Sequence, residues 1–256
     1  ALGCLYDTEQ FLSRMIEREE QQLTPTAFIQ STHNTVAGQI ALLLGCNGHN
    51  LTFVHRGHSF EHALLNARLY LNDHPEHVVL AGGIDELTET SLLLMQRGGI
   101  YHSQTVDHTD LYEKCRKGSV AGEGAGFFTV TNRPLTDTFL HIKSLHFFAT
   151  ATEQEANRQV AQFIATLPVA EDEIELLLLG MSGDQRWSGV YDHIRSERFR
   201  NATKSGFKHL TGEYATASAA GLGLLMHEAV SGTHRRIVFI NNYLDHYSCW
   251  YLEQGC

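Results

Sequence analysis

Residues 33–67, HNTVAGQIALLLGCNGHNLTFVHRGHSFEHALLNA, leave a chain few ways to fold. Val36, Ile40, Leu43 and Leu44 recur at helical spacing, and Gly45 with Cys46-Asn47-Gly48 ends that helix. Leu51-Thr52-Phe53-Val54 reads as a short strand. Ser59 then stands just before a second helical pattern that begins Phe60-Glu61-His62-Ala63-Leu64-Leu65. A strand delivered into a helix through so short a link makes a sharp elbow, centred on Gly57.

The same alternation continues along the chain. Apolar strands are expected at residues 78–81, 127–130, 139–142, 174–179 and 236–240, the last of these being the final strand. Helices are expected at 153–166, about 187–198 and 216–230. Strands alternating with helices imply an α/β chain whose sheets are parallel and carry helices on their faces. Asn132-Arg133-Pro134 reads as a crossover that divides the chain into halves, residues 1–132 and 133–256.

Four segments carry a family resemblance. The run at 33–67 resembles the centre of β-ketoacyl synthases of the thiolase superfamily, where a helix SxxNxxAGxIAxxxG precedes GPxxTxxTACASGxxAL. Asn34, Ala37-Gly38, Gly45, Gly48, Thr52 and Ala63-Leu64 match it without gaps. Val78-Val79-Leu80-Ala81-Gly82-Gly83-Ile84-Asp85-Glu86 is similar to the family's vLaGGxDe. Gly118-Ser119-Val120-Ala121-Gly122-Glu123-Gly124-Ala125-Gly126 is similar to GxvxGEGAG, the most specific of the four. Phe207-Lys208 through Ala217 is similar to vKsxxGHxxGAaG. The resemblance implies a thiolase-like five-layer αβαβα fold. The chain opens in mid-motif at Ala1-Leu2-Gly3-Cys4-Leu5, so N-terminal strands of that fold are expected to be lacking.

The catalytic positions depart from the family together. Its nucleophilic cysteine falls on Gly57, one active-site histidine on Gly180 and the other on Glu213, while the lysine is retained as Lys208. Asn241-Asn242-Tyr243-Leu244-Asp245-His246-Tyr247 stands in place of the glycine-rich gating loop. Scaffold glycines and apolar strands remain, a pattern that suits a protein kept for its shape. The resemblance therefore implies a homologue of 3-oxoacyl-carrier-protein synthases that does not condense on its own. It would be a chain-length-factor-type partner of an active ketosynthase in fatty-acid or polyketide-type synthesis. AFIQSTHNT, HRGHSFEHAL and GGIDELTET are similar to a branch associated with aryl-polyene or flexirubin-type pigment clusters of Bacteroidetes. Phe28, Phe53 and Phe60 are candidates to line an acyl tunnel, and each is equally at home in a core.

Other readings of the same residues stay open. Ser59 could serve as a relocated nucleophile with His33, His55 or His62 as base, making the chain an independent acyltransferase or thioester hydrolase. His58 and His62 stand one helical turn apart with Glu61 between them. Sixteen histidines make such a pair easy to obtain by chance, and no metal centre or cofactor is expected. Glu123 reads as an anchor for turn amides. A non-catalytic scaffold that binds acyl carrier protein is the third possibility.

Composition narrows the setting. A formal charge of −10 argues against a nucleic-acid surface. Docking an acidic carrier protein would need a local basic patch, and Arg195-Ser196-Glu197-Arg198-Phe199-Arg200 with Lys204 and Lys208 is the obvious one; a solvated helix face is its plainer reading. No apolar run approaches the ~20 residues that span a bilayer. Five scattered cysteines without a CxxC pair suit a reducing cytoplasm. The partner is expected to be an active ketosynthase, or a second copy, joined through the strand at 51–54.

Overall fold

The computed structural model describes residues 2–133, 135 and 139–255. Pro134 of the crossover and Cys256 lie outside them. The first half contains α1 (Leu5–Glu17), α2 (Pro25–Gln30), α3 (Thr35–Leu43), α4 (Ser59–Asp73), β1 (Val78–Asp85), α5 (Glu89–Arg97) and β2 (Gly124–Thr131). The second contains β3 (Leu140–Ala149), α6 (Glu153–Ala165), β4 (Leu176–Leu179), α7 (Gln185–Glu197) and β5 (Thr203–Gly206). It ends with α8 (Lys208–Thr211), α9 (Ala217–Ser231), β6 (Arg236–Tyr243) and β7 (His246–Gln254).

Local chemistry sets several of these boundaries. Thr88 and Ser91 form a reciprocal capping box that starts α5. The Asp184 carboxylate accepts from Arg186 N (3.0 Å) and starts α7. Gly232, in the left-handed region, ends α9.

β1 and β2 form a two-stranded antiparallel sheet, with Val78 opposite Thr131 and Asp85 opposite Gly124. The second sheet runs β3-β7-β6-β4-β5. β4 pairs parallel with β5 and β6, but β7 pairs antiparallel with both β3 and β6. The sheets expected to be parallel are therefore antiparallel and mixed. The reason is covalent: only Leu244 and Asp245 join β6 to β7, and a link that short permits only an antiparallel hairpin. β7 also corrects the expectation that the strand at 236–240 is the last.

The layers follow from which face each side chain takes. On one face of the five-stranded sheet, Leu176, Leu178, Ile237, Phe239, Trp250 and Leu252 pack against α4 and α9. Those helices lie between this sheet and β1–β2. On the opposite face, Leu177, Leu179, Val238, Ile240, Cys249 and Tyr251 pack against Ala156, Val160 and Phe163 of α6 and Val190, Tyr191 and Ile194 of α7. Burying a large apolar side chain stabilises the fold by about 1.5–3 kcal/mol, so these two clusters dominate its cohesion.

One expected strand is missing. Residues 51–54 adopt no strand, and among the described residues none of them makes a backbone–backbone hydrogen bond. A strand needs a neighbour to close its ladder, and here none lies beside them. β1 is likewise paired along one edge only. Between α3, residues 48–53, α4 and the free side of β1 lies an apolar cavity of about 420 Å³.

Candidate functional site

The elbow is built as the spacing implies, but it is closed. Arg56, Gly57 and His58 form a single 3₁₀ turn that runs directly into α4. Arg56 takes φ +48°, a left-handed conformation uncommon for a residue with a Cβ and a mark of local strain. Ser59 fastens the turn: its hydroxyl accepts from His55 N (2.9 Å) and donates to the Arg56 carbonyl (2.8 Å). That places its proton on backbone.

The turn between β6 and β7 sits against this elbow. A Cβ at Gly57 would lie 2.8 Å from Tyr243 Cβ, 3.0 Å from His246 Cβ and 3.3 Å from the Tyr243 carbonyl. Gly180 is equally crowded, since a Cβ there would lie 2.1 Å from Asn241 Oδ1 and 3.0 Å from Asn241 Cα. Both glycines are thus tied to β6 and its turn by close approach.

Glu213 is buried beside Lys208, whose ammonium donates to Glu213 Oε2 (2.8 Å) and to the Asn242 carbonyl. Tyr191 donates to Asn242 Oδ1 (2.7 Å), and Asn242 Nδ2 donates to the Leu244 carbonyl (2.7 Å). The hairpin turn is therefore pinned from below by an ion pair and from the side by α7. Burial pushes Glu213 up to about 7 and Lys208 down, while each partner's charge opposes the shift. Glu61 of α4 is fully buried nearby. Neither of its oxygens closes a hydrogen bond to the Ser218 and Ser248 hydroxyls that face it, and burial raises it to about 7.

Four histidines gather on the hairpin side of the elbow. His55 Nδ1 and His62 Nδ1 lie 3.4 Å apart, and the His58 and His246 rings are 4.6 Å between centroids. His62 Nδ1 donates to the His58 carbonyl (2.7 Å), His58 Nε2 to the Tyr247 carbonyl (3.1 Å) and His246 Nδ1 to Asp245 Oδ1 (2.9 Å). Burial, reinforced by His246, lowers His58 to about 4. Sequence reasoning grouped His55, His58 and His62 but not His246, which arrives from β7 far along the chain. Their ring nitrogens do not converge tightly enough to form a metal-binding group among the described residues.

The remaining candidates separate. Phe53 and Phe60 both border the apolar cavity, and Phe60 also stacks within the core between Phe128 (5.7 Å) and Trp250 (6.1 Å). Phe28, exposed on α2, packs on Phe11 (5.7 Å) away from the cavity lining. Glu123 Oε2 accepts from Leu87 N (2.8 Å), the turn-anchoring contact expected of it. The basic patch shrinks to Arg195 and Arg200, which stay exposed. Lys208 is buried, Lys204 donates to the Arg195 (2.6 Å) and Arg198 (3.0 Å) carbonyls at the end of α7, and Arg198 pairs with Glu171 (2.7 Å).

Two outcomes are expected. Gly57→Cys should lower stability by about 1–3 kcal/mol in denaturant titration, because the new side chain displaces the β6–β7 turn. An unchanged midpoint would mean that the turn leaves room for a thiol. Glu61 binds its proton more tightly folded (about 7) than unfolded (4.5), so its contribution is complete below pH 4.5 and fades as pH rises through 7. The wild type should therefore lose up to about 3 kcal/mol relative to Glu61→Gln between those limits. Parallel stability–pH curves for the two proteins would contradict this.

Comparison with known proteins agrees with this architecture. The family model for the β-ketoacyl synthase N-terminal domain matches residues 2–133. No curated protein matches the chain. Among solved structures, a type II polyketide-synthase acyl-carrier protein in complex with its ketosynthase (AntDE:AntF) is 12% identical. That match covers 100% of this chain and 76% of that one, with a TM-score of 0.81. The ishigamide ketosynthase/chain length factor is 15% identical over 100% of this chain and 71% of that one, with a TM-score of 0.77. The ketosynthase ApeO in complex with its chain length factor ApeC, from Xenorhabdus doucetiae, is 13% identical over 98% and 72%, with a TM-score of 0.73. At such identities the structures establish a shared thiolase-like fold. With more than half of its residues matched by the family model, the chain belongs to the β-ketoacyl synthase family.

Proposed function

We propose that this protein is a non-condensing, chain-length-factor-type partner of an active ketosynthase. The observation that carries the reading is the closed elbow. Residue 57 has no side chain, and the β6–β7 turn occupies the space where a nucleophile would receive an acyl group. The two family histidine positions are Gly180, with no room for an imidazole, and Glu213, neutralised by Lys208. Acyl transfer to a cysteine, and enolate stabilisation by two imidazoles, both lack their groups here.

The segment leading into the elbow, with the end of α3, supports a partner. Leu42, Leu43 and Leu44 are 80, 83 and 62% exposed, and Leu51 and Val54, at 56 and 50%, flank a segment with no ladder. A contiguous apolar surface beside unpaired backbone is costly in water and marks an interface. A ketosynthase subunit that supplies an antiparallel strand to residues 51–54 would satisfy both at once. Its acyl chain would then extend toward the apolar cavity, with Phe53 and Phe60 on the wall. Two of the similar structures are ketosynthase/chain-length-factor pairs and one includes a carrier protein, which supports the same assembly here.

Carrier protein would be met by the assembled pair, since on the α7 face of this chain Arg198 and Lys204 already have partners. The matches in AFIQSTHNT and GGIDELTET support a pigment-type polyene pathway. Unpaired thiols at Cys4, Cys46, Cys115 and Cys249 fit a cytoplasmic setting, and no helix among the described residues is long and apolar enough to cross a membrane.

Mild purification of the full-length protein from its own cells, followed by mass spectrometry, tests the proposal. The expected companion is a ketosynthase with an intact Cys-His-His triad in one-to-one ratio, lost on Leu51→Lys with Val54→Lys. A homodimer that is insensitive to that double substitution, or a complex with carrier protein alone, would overturn it.

A further inference from the structure

The far end of α4 carries a second constellation of histidines, remote from the elbow. His74, Pro75, Glu76 and His77 make the tight link from α4 to β1, closed by His77 N donating to the His74 carbonyl (3.0 Å). One ligand atom from each of His74, Glu76 and His77 lies within 4.8 Å of the others, and all three residues are exposed. We propose that this turn binds a divalent transition-metal ion, zinc in particular, a site the sequence alone had not suggested.

Three features argue for a cation here. His77 Nε2 and Glu76 Oε1 are 3.4 Å apart. Two ligands on one tetrahedral zinc, each bonded at about 2.0–2.1 Å, stand about 3.3 Å from one another, so this edge of the site is already set. His77 Nδ1, the nitrogen turned away from that edge, lies 2.9 Å from the Tyr70 hydroxyl. With Nδ1–H donating to Tyr70, Nε2 keeps its lone pair, the outer-shell arrangement that fixes the tautomer of a ligating histidine. The third feature is the helix itself. α4 has fifteen residues and is capped by His74, which places the cluster at the negative end of the helix dipole.

The ligand set selects the ion. Two imidazoles and one carboxylate suit zinc and its neighbours, whereas magnesium and calcium prefer all-oxygen shells. The His74 and His77 rings have centroids 5.2 Å apart, and a His74 nitrogen within 4.8 Å of the other two ligand atoms would turn inward to take the third position. Water would complete the shell. Pro75 holds the backbone between the ligands at a fixed φ, which limits the entropy lost on binding. His49, stacked on Tyr70 at 4.8 Å, extends the aromatic support from the other side. The consequence is mechanical as well as chemical. Zinc would clamp the end of α4 to the start of β1, the two elements that wall the apolar cavity, and His77 itself borders that cavity.

Equilibrium dialysis of the full chain against zinc chloride, with metal read by elemental analysis and folding by circular dichroism, tests the site. The wild type should hold one zinc more than His77→Ala or His74→Ala. Tyr70→Phe, which keeps the ring and removes the hydroxyl, should bind that zinc about 10-fold more weakly. Excess magnesium should not displace it. Zinc should raise the thermal midpoint of the wild type and leave that of His77→Ala unmoved. Equal zinc in wild type and His77→Ala would overturn the proposal. Loss of the ion on His246→Ala instead would overturn it too, by moving the metal to the histidines at the elbow.

Discussion

Everything distinctive about this molecule turns on one contact, the β6–β7 turn seated against the Gly57 elbow. The turn can lie there only because residue 57 has no side chain, and it is held there by Lys208 bonded to the Asn242 carbonyl and Tyr191 bonded to Asn242. Remove either support and the hairpin loses an anchor that holds it against the elbow. Add a side chain at 57 and it has no room to lie there. The closed elbow is thus a packed arrangement with several cooperating parts.

The electrostatics follow from the same packing. Lys208 and Glu213 are both withdrawn from water, and their mutual attraction offsets a desolvation cost of several kcal/mol per ion. Glu61 lies in the same interior, and burial raises it to about 7, well above the usual carboxylate range. Such a cluster contributes little to net stability. What it does supply is position: it fixes where the hairpin backbone lies relative to α8 and α9.

Much of the scaffold was legible because its signals are local. α3 and α4 show helical spacing, Gly45 has the positive φ (65°) expected of a helix terminator, and the GEGAG run leads into β2 as read. α6, α7, α9, β4 and β6 fall within a few residues of their expected limits. β7 was illegible because it lies between β3 and β6 with both faces covered: residues 246–252 are all buried, so no inside–outside alternation marks them. Residues 51–54 failed in the opposite sense. Their composition is that of a strand, but a ladder is a property of two segments and composition cannot supply the second.

The site was legible by subtraction and illegible in detail. Gly57, Gly180 and Glu213 were singled out as candidate positions from letters alone. That Gly57 and Gly180 both abut β6 or its turn, and that the same turn's backbone binds the partner of Glu213, depends on contacts spanning up to 189 residues of sequence, such as His58 to Tyr247. The placement of Lys208 was illegible for the same reason: it is spaced like a surface cation but lies buried against Glu213.

The central claim is that no residue of this chain accepts an acyl group. Intact-mass spectrometry of the purified full-length protein, after incubation with acyl and malonyl thioesters of carrier protein, addresses it directly. The account predicts an unchanged mass at every incubation time. A stable acyl adduct on any side chain, Ser59 included, would contradict it.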